Sequence, residues 1–200
     1  MRTAQLKLGP TDHGRRMTLD DFDAAEWKPG SRYEIIDGRL YVSAEPDPAE
    51  NVIENWLFTK LLVYQQLTPG VLNYVTTKGR VFVHARRNAT VPEPDVTAYT
   101  DFPLGTRLLD IHWRDISPVL VCEVLRSDIV KDLERNVDLY LAVPSIREYW
   151  VIDAWDDPEE PTLIQHRRHG KRWVVRDYPY GTTFTTKLLP GFSLLIDPRK

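Results

Sequence analysis

The sequence predicts a single α/β (α+β) domain: a mixed β-sheet flanked by helices, with extra β-hairpins. Three observations point there. Apolar runs of strand length alternate with two longer segments whose apolar residues recur at helical spacing. An Asp37-Gly38 pair separates two apolar runs, which is the strongest local hairpin signal. Two short core-like runs bounded by proline, Pro92-Glu93-Pro94-Asp95-Val96 and Pro118-Val119-Leu120-Val121-Cys122-Glu123-Val124-Leu125, read as buried strands, each with one carboxylate inside it.

Residues 1–16 are polar and broken by Gly9, Pro10 and Gly14, so a loose arm is expected there and one domain over residues 17–200. Thr18 is placed to N-cap a helix with Asp21 at the capping-box position, and Lys28-Pro29-Gly30 ends that stretch. Tyr33–Ile36 and Arg39–Val42 form the Asp-Gly hairpin. Glu34 alternates with Tyr33 and Ile35, which by itself reads as a solvent-facing position. After the rigid Glu45-Pro46-Asp47-Pro48 loop, residues 49–66 carry a helical stripe of Ile53, Trp56, Leu57, Leu61 and Tyr64, stopped by Thr68-Pro69-Gly70. Residues 71–75 and 80–84 are strand candidates around a Lys78-Gly79 turn. Arg86-Arg87-Asn88 is a polar loop before the Asp95 strand, and residues 100–117 form a mixed connection to the Glu123 strand.

Residues 127–142 read as a second long helix, capped by Ser127 or Asp128, with Pro144 just past its end. Its apolar stripe is Ile129, Leu133, Val137, Tyr140 and Leu141. Asn136 falls within that stripe and Asp132 lies one turn earlier, so both should point to the sheet edge, with Lys131 and Arg135 beside that face. Glu148–Asp153 is another strand. Thr162–Arg167 and Arg172–Tyr178 form a hairpin across His169-Gly170-Lys171, and short strands at Thr182–Thr186 and Leu194–Ile196 close the chain around Leu189-Pro190-Gly191-Phe192.

The 200 residues are 42% hydrophobic and 28% charged, which is globular composition for one domain. A net charge of −3 argues against a global nucleic-acid-binding field while leaving room for a local basic patch. The single cysteine, Cys122, cannot form an internal disulfide and reads as a core residue, which fits a reducing cytoplasm. The N-terminus carries no apolar signal region, and no run reaches membrane-spanning length, so neither export nor a membrane partner is expected. The five histidines lack zinc spacing, no serine sits in a Gly-x-Ser-x-Gly setting, and no Gly-rich phosphate loop is present. His166 and His169 stand among Arg167, Arg168, Lys171 and Arg172, either as a phosphate-contacting patch or as a solvated hairpin tip. Trp113 and Trp155 lie in loop-like context, for an interface, for stacking, or for ordinary packing.

Asp95 and Glu123 carry the chemistry. A carboxylate in a buried apolar run is costly unless it is paired, protonated or metal-bound. Two of them on successive core strands suggest two oxygen ligands for one divalent cation. The alternative is that Asp95 caps a turn after Pro94 and Glu123 pairs with an arginine; the residues alone leave both open.

The ordered set Tyr33-Glu34-Ile35-Ile36-Asp37-Gly38-Arg39-Leu40, Pro94-Asp95-Val96, Val121-Cys122-Glu123-Val124-Leu125, Pro144–Asp153 and Leu189-Pro190-Gly191-Phe192 resembles the bacterial Uma-two family, within the PD-(D/E)XK nuclease superfamily, from about Met17 to Ile196. The resemblance implies a restriction-endonuclease-like fold and a metal-dependent DNA endonuclease acting on double-stranded DNA. It implies Mg²⁺ (or Mn²⁺) bound by Asp95 and Glu123, with Glu34 as a further ligand or orienting group, and a homodimer as a plausible assembly for cutting two strands. Two positions depart from the pattern. The motif lysine would fall at Leu125, or, moved to the following helix, at Asn136, and an amide carries no charge. A histidine expected near the start of the long helix is Glu50. Lys131 or Arg135 could reach the site from the neighbouring face. The alternative implied by these departures is a catalytically reduced homologue that acts as a DNA-binding or interaction protein.

Overall fold

The computed structural model of the protein describes residues 6–126 and 128–200. In chain order its elements begin with β1 (Lys7–Leu8), α1 (Leu19–Ala24), β2 (Glu26–Trp27), the hairpin β3 (Ser31–Ile36) and β4 (Arg39–Ala44), and α2 (Pro48–Leu67). The main sheet follows, as β5 (Tyr74–Thr77), β6 (Val96–Tyr99), β7 (Leu120–Leu125), β8 (Glu148–Asp153), β9 (Thr162–His169) and β10 (Arg172–Tyr178). Between β7 and β8 lies α3 (Asn136–Leu141), and β11 (Thr183–Thr185) with β12 (Ser193–Leu195) closes the chain.

The six main strands lie side by side in chain order, all antiparallel except the parallel β7–β8 pair. A parallel pair needs a crossover, and the helical segment between β7 and β8 supplies it. β7 is buried along its whole length, as a central strand covered on both faces must be. Its period-two alternation sends Leu120, Cys122 and Val124 toward Leu57 and Leu61 of α2, in a core completed by Trp150 and Ile152. Val121 and Leu125 point the other way, toward Leu139 and Tyr140 of α3. By the same parity Glu123 falls on the α3 face, which places a carboxylate inside a packed layer.

Local chemistry accounts for the element ends. Thr18 and Asp21 form the expected capping box of α1. Asp47 caps α2 by accepting from the Glu50 N–H at 2.8 Å, with Pro48 at the first helical position. The β3–β4 turn has φ of 49° at Asp37 and 73° at Gly38, the left-handed pair that a two-residue hairpin requires. The C-terminal end of α3 is held by Arg168 of β9, whose guanidinium donates to the carbonyls of Tyr140, Leu141 and Val143 while its Nε donates to Ile146.

Several expectations are corrected. The arm expected over residues 1–16 is tied down from Lys7 onward, because β1 pairs in parallel with β2 and Leu8 is fully buried; residues 1–5 lie outside the described residues. Glu34 does not face solvent. Arg32, Glu34 and Ile36 share the inward face of β3, which is covered on both sides. Residues 71–75 and 80–84 do not pair with each other. β5 pairs with β6, and the 81–83 stretch instead bonds to Thr90 and Pro92, prolines at 92 and 94 having removed two donors from any regular ladder. Ile129, expected in the buried stripe of the second long helix, is exposed, and Asp132, Asn136, Leu139 and Tyr140 form the buried face. Of that helix's two expected caps, Asp128 accepts from the Lys131 N–H, and Ser127 lies outside the described residues. His166 is buried and stacked on Tyr149, so it belongs to the core rather than to a basic hairpin tip. Trp113 packs against Tyr99 and Phe102, whereas Trp155 stays exposed.

Candidate active site

Five carboxylate and amide positions singled out above come together where β3, the segment before β6, β7 and the segment before α3 meet. Asp95 immediately precedes β6. Its Oδ2 accepts from the Val124 N–H at 2.7 Å, and its own N–H donates to Glu123 Oε2 at 3.3 Å, so the two acids are interlocked across neighbouring strands. Glu123 Oε1 accepts from Asn136 Nδ2 at 3.0 Å and from the Tyr140 hydroxyl at 2.8 Å. Asn136 Nδ2 also donates to Asp132 Oδ1 at 3.2 Å. Glu34 Oε1 accepts from the Glu93 N–H, while its Oε2 lies 3.6 Å from Lys131 Nζ and 3.7 Å from Arg135 Nη2.

The backbone explains how Lys131 arrives. Residues Lys131–Arg135 form a π-helical turn, in which the Asn136 N–H bonds to the Lys131 carbonyl. On a regular α-helix residues five apart point about 140° away from each other. The extra residue of a π turn winds them back onto one face, and such turns recur at functional sites. Asp132 and Asn136, four residues apart, face the Glu123 side as ordinary helical spacing expects, and the π turn brings Lys131 round to Glu34.

Arg32 was not singled out in the sequence. Its Nη1 lies 2.6 Å from Asp95 Oδ1 and 3.8 Å from Glu50, and its Nη2 lies 3.2 Å from Glu54. Both α2 acids face inward, Glu54 on the helix face of Leu57 and Leu61. The signal was present in two patterns: Arg32 alternates with Glu34 along one strand face, and Glu54 sits three and seven residues before Leu57 and Leu61. Neither pattern identifies a partner, since the ion pairs join positions 22 and 63 residues apart.

The charges do not balance. Six carboxylates (Glu34, Glu50, Glu54, Asp95, Glu123 and Asp132) gather around Arg32, Lys131 and Arg135. Burial, with the neighbouring Asp95 charge, pushes the Glu54 carboxyl up to about 7 against the pull of Arg32. Burial likewise pushes Asp132 up to about 7, and it holds Glu123 well above the usual carboxylate range. Glu50 is raised for the same reasons. Burial works against the Lys131 charge, but Glu34, Glu123, Asp132 and Asp95 outweigh it and keep the ammonium ionised. Two further donors, Arg32 Nε and Arg135 Nη2, are buried without a hydrogen-bond partner. Among the described residues no three His, Cys, Asp or Glu side chains are gathered in metal-binding geometry. The donor chemistry nonetheless fits a hard divalent cation, because it is all oxygen, buried and over-supplied with negative charge.

A family model, Uma2, described as "Putative restriction endonuclease", matches residues 19–197. Among solved structures, one described as "a putative nuclease belonging to DUF820" from Anabaena variabilis is similar with a TM-score of 0.67 at 17% identity, over 90% of this chain and 95% of that one. That likeness shows the fold. No curated protein matches the chain. Among the described residues no helix is long and apolar enough to cross a membrane.

Proposed function

The chain belongs to the Uma2 family, and from that membership we propose that it is a metal-dependent DNA endonuclease whose chemistry centres on Asp95 and Glu123. The observation that carries the reading is the placement of Lys131: a largely buried side chain whose ammonium lies 3.6 Å from Glu34, among acids whose raised pKa values mark uncompensated negative charge. Asp95 and Glu123 would hold Mg²⁺ or Mn²⁺, with Glu34 as a further ligand or an orienting group. Such a cation, when bound, supplies an activated water and offsets charge on the phosphate.

The chain's own residues do the rest. The Val124 N–H and Arg32 fix Asp95, and Asn136 and Tyr140 fix Glu123. Lys131 brings positive charge to the place where the motif lysine is missing at Leu125 and Asn136, to stabilise the charge that builds on the phosphate as its bond breaks. Arg135, whose Nη2 lies 3.7 Å from Glu34 and makes no hydrogen bond, is a second cation for a phosphate oxygen. Cutting both strands of a duplex calls for two such sites, which a two-fold symmetric homodimer provides.

The test is cleavage of plasmid and linear duplex DNA with Mg²⁺ or Mn²⁺. The expected result is metal-dependent cutting that Asp95→Ala or Glu123→Ala abolishes while the circular dichroism spectrum is kept. Folded wild-type protein that cuts nothing with either metal across varied duplexes overturns the reading.

One observation favours a second reading, a DNA-binding homologue with reduced catalysis: Asp95 Oδ1 is already taken by Arg32 at 2.6 Å. That reading expects salt-sensitive DNA binding without turnover, and a gain of cleavage in Asn136→Lys. If Lys131 already supplies the charge, Asn136→Lys leaves the rate unchanged or lowers it.

A further inference from the structure

Away from the carboxylate cluster, at the N-terminal ends of β7 and β8, two hollows adjoin. One, of about 520 Å³, is lined by Arg147, Arg167, Arg168 and Lys187 together with Ser117 and Ser145. The other, of about 430 Å³, is lined by Phe82, His84, Ala85, Ala142, Val143 and Pro144, and shares Ser117 and Ser145 with the first. Both volumes lie in the range of small-molecule sites, roughly 300–1,000 Å³. Leu120, which follows the lining residue Val119, and Glu123 are three positions apart on β7, which puts this region roughly 10 Å along the sheet from Glu123.

The basic hollow is electrostatically unfinished. Among the described residues Arg147, Arg167 and Lys187 have no acid partner within salt-bridge distance. The one acid in the lining, Glu148, is buried with its oxygens taken by the Thr186 hydroxyl and the Trp150 indole N–H. Arg168 is committed to backbone carbonyls, and burial, with a smaller contribution from the nearby Arg147 charge, lowers its pKa. At the junction of the two hollows the Ser145 hydroxyl is buried and has no hydrogen-bond partner. Buried hydroxyls are almost always satisfied, and a rotamer change at Ser145, a residue that lines both hollows, would bring this orphan out to a ligand atom. The apolar hollow has flat walls: the Phe82 and His84 rings are stacked at 6.1 Å with planes 28° apart, next to Pro144.

We propose that this bipartite groove binds a nucleotide-type ligand, with its phosphate among Arg147, Arg167 and Lys187, its base in the apolar hollow and the Ser145 hydroxyl at the joint. Arginine and lysine recognise phosphate, and a base has the flat shape the apolar walls accept. The site does not depend on the nuclease reading. The phosphate and base could come from a free mononucleotide or from the end of a nucleic-acid strand.

The experiment is isothermal titration calorimetry on the full chain in EDTA, with adenosine 5′-monophosphate, adenosine, inorganic phosphate and a 5′-phosphorylated tetranucleotide as probes. The monophosphate is expected to bind at least about tenfold tighter than adenosine or phosphate alone. The double variant Arg147→Glu, Arg167→Glu, on exposed and half-buried positions, should weaken it by at least about tenfold. Ala85→Trp, which fills the apolar side from an exposed position, should weaken the monophosphate and leave phosphate unchanged. A tetranucleotide that binds tighter than the monophosphate identifies a strand end as the source, and equal or weaker binding identifies the free nucleotide. The proposal is overturned if the folded wild type gives no monophosphate binding, if binding ignores the Arg147 and Arg167 substitutions, or if Asp95→Asn abolishes it, which would place the nucleotide in the carboxylate cluster instead.

Discussion

Lys131 lies where an ammonium should be unwelcome. Burial disfavours its charge, and only the surrounding Glu34, Glu123, Asp132 and Asp95 keep it ionised. The dependence is mutual, so removing the cation leaves those acids facing one another. Lys131→Gln is expected to lower stability by up to about 3 kcal/mol at pH 8, where the acids are driven to ionise, and by less at pH 5, where they can take up protons. In the same variant cleavage is expected to fall by about 10²–10³, the loss typical of one preorganised charge-stabilising donor. Urea unfolding at the two pH values and a DNA-cleavage assay check both halves. Equal stability losses at pH 5 and pH 8 would show that the ammonium is not paired to ionised acids. Most of the site was legible at this scale, because Asp95 and Glu123 stood out as carboxylates in apolar strands. Arg32 and Glu54 did not, since a lone polar residue in an amphipathic pattern reads as surface until the chain brings its partner to it.

The element that decides the site is the π turn before α3. A sequence read with a 3.6-residue period puts Ile129, Leu133 and Val137 on the buried face and leaves Lys131 beside it. That period already turns Asn136 and Tyr140 inward, with Asp132 one turn earlier; the extra residue of the π turn is what brings Lys131 round toward Glu34 and leaves Ile129 exposed. Nothing in local propensity signals this, because the turn is held from outside: Glu123 accepts from Asn136 and Tyr140, and Tyr149 donates to the Asp132 carbonyl at 2.9 Å. Inserting one alanine after the exposed Glu134 should keep the far-ultraviolet circular dichroism and put Lys131 six residues before Asn136, about 120° away from it on a regular α-helix. The expected outcome is a loss of cleavage of at least about 10² with the fold retained. Full activity in the insertion variant would show that the register of the π turn does not place the site. The strands show the opposite case. β7, β8 and the Asp-Gly hairpin were legible almost to the residue, because period-two alternation and turn chemistry are local signals. The pairing of β5 with β6 was not, because partner choice is made across the sheet.

At the scale of the whole molecule the surplus of buried carboxylates couples stability to pH and to cations. The folded pKa of Asp132 is about 7 against an ordinary 3.8, and that of Glu54 about 7 against 4.5. Between those values the folded chain keeps protons that the unfolded chain has lost, so the stability these groups contribute is full below about pH 4 and falls as pH rises to about 7. Asp12, Asp21 and Asp47 are shifted down by hydrogen bonds, so their contribution is lost only as pH falls below the ordinary carboxylate range, outside this window. His166, held neutral mainly by burial, works in the opposite direction, its contribution falling as pH drops below about 6.5. The comparison is therefore made against Asp132→Asn, which keeps His166 and removes one titrating acid. In EDTA the wild-type Tm is expected to fall relative to that variant as pH goes from 5 to 8. A divalent cation competes with the same protons, so Mg²⁺ or Mn²⁺ should raise the wild-type Tm more at pH 8 than at pH 5. At about 100 times Kd the gain is about 2.7 kcal/mol, and at roughly 2–4 °C per kcal/mol for a domain of this size it amounts to roughly 5–10 °C at pH 8. Differential scanning fluorimetry across the four conditions reads the effect directly. A metal-induced shift equal at both pH values, or one that survives in Asp95→Ala, would mean that the cation binds elsewhere and that the buried acids are balanced by protons alone.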